Sequence, residues 1–116
     1  MILPNKLGSI LTDLARKSID YYLTHRTYLP IPKDLPQELY TQKAGVFICL
    51  KIHGQLRGCI GTFQPQQENL IAEIIHNAVS AAIEDPRFPP VALEDLPKIH
   101  ITVDILTPPE PISSID

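Results

Sequence analysis

Cysteine is scarce in this 116-residue chain, which carries only Cys49 and Cys59 and no C-x-x-C pair. That removes the paired-cysteine signatures of zinc ribbons and thioredoxin-like redox motifs. Long apolar runs are missing too, and none approaches the ~18 residues that would span a membrane. Positive charge is in short supply. A net charge of −3 and a pI near 5.7 argue against nucleic acid as a general partner. The polar tip formed by Lys51, His53, Gln55 and Arg57 is too small to reverse that. His25, His53, His76 and His100 are spread along the chain without metal-ligand spacing, so no protein-built metal site is expected. There is no G-x-G-x-x-G or Walker loop, no G-x-S-x-G elbow, no internal repeat and no low-complexity tract. The first residues, Met1-Ile2-Leu3-Pro4-Asn5-Lys6, do not open a secretory signal. A cytoplasmic protein with reduced thiols is the expectation.

What is present fits one globular domain, with 44% apolar and 20% charged residues. The twelve prolines cluster at 30–36, 86–97 and 108–111 and mark loops between elements. Leu7, Ile10, Leu11, Leu14, Ser18, Ile19, Tyr22 and Leu23 recur on one face of a helix predicted over 6–25, with Asn5 as its cap. The proline-rich stretch 27–43 reads as a surface loop pinned by Leu29, Ile31, Leu35 and Leu39. A second helix, over 69–84, shows a wide apolar stripe from Leu70 to Ile83 and stops at Asp85-Pro86. A short turn is expected at 93–96. Residues 99–107 alternate as a strand with one buried face, and the chain leaves through Pro108-Pro109-Glu110-Pro111.

The runs 45–53 and 56–63 read as a β-hairpin. Gly54-Gln55 fits a two-residue type II′ turn, with glycine at its first central position. In that register His53 faces Leu56, Leu50 faces Cys59, Cys49 faces Ile60, Lys51 faces Gly58 and Phe47 faces Thr62. Cys49 and Cys59 then point to opposite faces and cannot bridge, while Arg57 and Cys59 share a face. The fold class is α+β: a mainly antiparallel sheet packed by two helices on one or both faces.

The stretch Leu56-Arg57-Gly58-Cys59-Ile60-Gly61-Thr62 resembles the AMMECR1 domain family. So do Ala15-Arg16, Gly45-Val46-Phe47, Ala81-Ala82, Asp85-Pro86-Arg87-Phe88-Pro89-Pro90 and the strand ending in Pro108-Pro109-Glu110-Pro111. Domains of that family continue further, with a His-Gly-Leu and a Leu-Leu-Pro-Gln motif that are absent here. The chain is therefore expected to be the first part of a single such domain. The resemblance implies no settled activity and no identified cofactor. It implies Memo-like or radical-SAM proteins as partners, and an exposed sheet edge would permit homo-oligomers.

The site candidates are Arg57, Gly58, Cys59 and Gly61, with Arg87 as a further one. Two readings stand. In the first, the chain is a non-catalytic accessory or interaction module whose Arg57–Gly61 strand contacts a partner or small ligand. In the second, Cys59 is a nucleophile or redox thiol and Arg57 binds an anionic substrate. The plain structural alternatives are a buried thiol, an Arg57 ion pair with Asp85 or Asp104, and glycines that admit the small-residue face of the second helix.

Overall fold

Two long helices cover one face of a three-stranded antiparallel sheet of order β2-β1-β3. The computed structural model describes residues 5–106, with side chains from residue 8 onward. In chain order the elements are α1 (Asn5–His25), α2 (Gln37–Thr41), β1 (Gly45–Ile52), β2 (Gln55–Gly61), α3 (Leu70–Ile83), a 3-10 helix (Leu93–Lys98) and β3 (His100–Leu106). The α+β architecture matches the sequence expectation. The Asn5 cap and the 108–111 exit lie outside the described side chains and residues. Among the described residues no helix is long and apolar enough to cross a membrane.

The core lies between sheet and helices. Val46, Ile48 and Leu50 of β1 alternate inward and are fully buried, as strand periodicity requires. Leu11, Ala15 and Ile19 of α1 meet them from the helix layer, together with Ile71, Ile74, Ile75 and Ala78 of α3. The opposite face carries the exposed Lys51, His100 and Asp104 and the half-buried Phe47, Cys49 and Thr102. α1 ends where Arg26 adopts a left-handed conformation (φ 61°) and its N–H bonds the Tyr22 carbonyl at 2.7 Å. Asn69 caps α3 rather than joining it, its side chain accepting from the Ala72 N–H at 2.9 Å.

Several boundaries differ from expectation. The 27–43 stretch contains the five-residue α2, which follows Pro36 and anchors the fully buried Leu39. The turn at 93–96 extends into the 3-10 helix, whose end is held by Arg16 of α1. That guanidinium donates to the Leu96 and Ile99 carbonyls at 2.7 Å each.

The hairpin differs most. The turn is His53-Gly54, not Gly54-Gln55, and both residues have positive φ (51° and 79°). Positive φ at both central positions is the type I′ pattern, whose twist suits a hairpin. Ile52 then pairs with Gln55 and Lys51 with Leu56. A β-bulge follows, in which Arg57 is the extra residue, and pairing resumes with Leu50 opposite Gly58 and Cys49 opposite Cys59. The turn alone would leave the two cysteines on opposite faces. The one-residue bulge reverses that parity, because a single-residue slip turns every later side chain over. The expectation that Cys49 and Cys59 cannot bridge is therefore overturned. Their Cα atoms are 4.1 Å apart and their sulfurs are bonded.

Candidate functional site

Where β2 meets the loop after α3, Arg57, Gly58, Cys59 and Arg87 come together. Gly58 is buried and lies against the helix backbone. A Cβ there would stand 2.1 Å from the Ala81 carbonyl oxygen. The small-residue stretch of α3 and the glycine of β2 thus meet each other, the packing alternative rather than a ligand gap. This approach brings the C-terminal end of α3, and the Asp85–Pro90 loop behind it, to the outer edge of β2.

The edge is then closed by polar contacts. Asp85 is buried, and its carboxylate accepts from the Cys59 backbone N–H at 3.0 Å. It also accepts from the Arg87 backbone N–H at 3.1 Å and from the Arg87 guanidinium at 3.0 and 2.7 Å. The guanidinium foremost, then the two backbone donors, hold the Asp85 carboxyl well below the usual carboxylate range. The same pairing raises Arg87 above its ordinary value. The Arg87 side chain remains 56% exposed and lies over the Phe88 ring, 5.4 Å from its centroid.

Arg57, the bulged residue, donates to the Pro89 carbonyl at 2.8 Å and the Pro90 carbonyl at 3.4 Å. The sequence leaves open an ion pair between this residue and Asp85 or Asp104. Asp85 instead pairs with Arg87, and backbone carbonyls take the Arg57 guanidinium. The Val91 N–H closes the loop onto the Ala82 carbonyl at 2.8 Å. Gly61 stands apart, opposite Phe47, whose Cα would lie 2.7 Å from an added Cβ. Cys59 carries no free thiol, being bonded to Cys49. Among the described residues no group of three or more His, Cys, Asp or Glu is placed to hold a metal ion.

A second polar cluster was not singled out from the sequence. Glu73 is fully buried in the first turn of α3. Its carboxylate accepts from the Thr62 hydroxyl at 2.7 Å and from the Gln66 and Gln67 N–H groups at 2.9 Å. Asn77, one turn on, donates to the Val46 carbonyl at 2.8 Å and to Thr62 Oγ1 at 3.2 Å. Glu73, Asn77 and Ser80 recur four and three apart on the polar side of α3, and that pattern alone does not distinguish the buried Glu73 and Asn77 from a solvated stripe.

The family model described as AMMECR1 matches residues 12–116. The chain belongs to the AMMECR1 family. It is 45% identical over 102 residues to a Thermotoga maritima protein, covering 87% of this chain and 59% of the relative. A Methanothermobacter thermautotrophicus protein is 46% identical over 105 residues, covering 90% and 54%. The crystal structure of an uncharacterized Pyrococcus horikoshii protein superposes with a TM-score of 0.84 at 41% identity, covering 90% of this chain and 53% of that one. This AMMECR1-family chain thus spans a little over half the length of these relatives.

Proposed function

We propose that this chain is a non-catalytic accessory or interaction module that presents the Arg57–Gly61 strand and the adjoining Asp85–Pro90 loop to a partner or small ligand. The observation that carries this reading is the state of the strand's reactive groups. The Arg57 guanidinium is engaged by carbonyls, the Cys59 N–H by Asp85 and the Cys59 sulfur by Cys49. What the corner offers outward is the exposed Arg87 side chain, held in one orientation by Asp85. Its Nε and Nη2 donate to Asp85, and the Nη1 end that remains suits recognition of a carboxylate or phosphate on a partner. The enzyme reading, with Cys59 as nucleophile and Arg57 as anion binder, needs a free thiolate and a free guanidinium, and the observed contacts weigh against both.

The partners implied by family membership are Memo-like and radical-SAM proteins. The test is titration calorimetry of the purified chain against each of them. The expected result is association that Arg87→Lys, which keeps a cation beside Asp85 but loses the planar fork, weakens at least tenfold while leaving the melting temperature within a few degrees. No association with either, together with substrate-dependent turnover lost in Cys59→Ser, would replace this reading with the enzyme one.

A further inference from the structure

Cys49 and Cys59 share the face of the sheet that the helices leave uncovered, and both keep partial exposure. Neither belongs to the hydrophobic core. Their apposition depends on the bulge at Arg57, since the His53-Gly54 turn by itself would set them on opposite faces. Among the described residues β2 is an edge strand, joined on one side to β1. The same strand holds the Asp85–Pro90 loop, through the Cys59 N–H and the Arg57 guanidinium. A bond between the two sulfurs therefore ties to β1 the strand on which that loop depends, close beside the irregularity in the ladder.

We infer that Cys49 and Cys59 form a reversible dithiol–disulfide site that exchanges with small-molecule thiols, the oxidised form fastening β2 and its loop to the sheet. In the reductive direction an external thiolate attacks one sulfur. The Cys49–Cys59 bond breaks, a mixed disulfide forms, and the other cysteine leaves as a thiolate that takes up a proton. A second external thiol then displaces the first cysteine from the mixed disulfide. The net change is two thiols oxidised to one external disulfide, with the protein pair reduced by two electrons. Partial exposure meets the access requirement for such attack. The inference does not rest on the docking reading above and stands whether or not a partner binds.

The experiment equilibrates the chain in buffers of varied reduced-to-oxidised glutathione ratio, quenches in acid, alkylates with a maleimide and weighs the intact protein. The expected result is zero or two labels per chain, changing together along one two-electron curve. Hydrogen exchange at residues 55–61 should be at least tenfold slower in the oxidised form. Cys49→Ser should leave one thiol that takes up a single glutathione, and its exchange at 55–61 should match that of the reduced wild type. Independent labelling of the two cysteines, a bridge between two chains, or equal exchange in both redox forms would each overturn the inference.

Discussion

Replacing Gly58 by alanine inserts a single methyl between β2 and α3, and the geometry says how badly it fits. The new Cβ would lie 2.1 Å from the Ala81 carbonyl oxygen, 3.2 Å from its carbonyl carbon and 3.8 Å from Leu50 Cδ1. Ordinary carbon–oxygen contact begins near ~3.3 Å, so more than an ångström must be opened. The obstacle is helix backbone, which no rotamer change can move aside. α3 itself is buried along most of its length, so it resists a shift. Overpacking of this kind costs roughly 1–3 kcal/mol, and a backbone obstacle places this case at about 3. For a domain of this size that lowers the melting temperature by on the order of 10 °C. Urea unfolding checks it, read as a lower midpoint at unchanged slope. Gly8→Ala serves as the control. Its Cβ meets nothing within 4 Å, and alanine inside a helix should gain about 0.5–1 kcal/mol. A Gly58→Ala protein within about 0.5 kcal/mol of wild type, the ordinary scatter of surface changes, would show that β2 does not lie against Ala81.

Other outcomes follow from the same contacts. Glu73→Ala leaves the Thr62 hydroxyl and the Gln66 and Gln67 N–H groups without their acceptor and should cost about 3 kcal/mol or more in denaturant unfolding. Glu73→Gln, which keeps an acceptor oxygen, should cost less. Arg57→Lys keeps the charge but loses the two-pronged grip on Pro89 and Pro90, and should cost about 1 kcal/mol by the same measurement. Because the Asp85 carboxyl titrates lower in the folded state than in the unfolded one, its ionised contacts stabilise the protein above about pH 4. That contribution is lost as the pH falls further. The melting-temperature gap between wild type and Asp85→Asn should therefore be widest near neutrality and shrink in acid, and a gap independent of pH would refute the assignment.

Residue pattern and structure agree where a period is long enough to read. Two long helices and three strands stand within a residue or two of their expected bounds, because burying one face of each imposes its spacing on the sequence. α2 escaped because five residues between Pro36 and Gln42 hold too few turns to show a period. The hairpin register escaped for a different reason. It turned on His53 accepting a left-handed conformation that glycine takes more readily, and on an extra residue at Arg57. Neither leaves a mark in hydrophobic alternation, yet together they decide which residue Cys59 meets. At the candidate corner the sequence names Arg57, Gly58, Cys59 and Arg87, which the fold brings together, but Gly61 stands apart and the polar partners of the two arginines are not legible. Contacts such as Arg57 with Pro89, or Asp85 with the Cys59 N–H, join positions far apart in the chain and follow from tertiary packing alone.

The claim on which this account rests is that the edge of β2 is closed by a carboxylate from the loop after α3. The chemical shift and hydrogen exchange of the Cys59 amide, in wild type and in Asp85→Ala, test it most directly. The account predicts a downfield, slowly exchanging amide that moves upfield and exchanges faster in the variant, while the amides of β1 keep their positions. A Cys59 amide indifferent to the loss of the Asp85 carboxylate would contradict it.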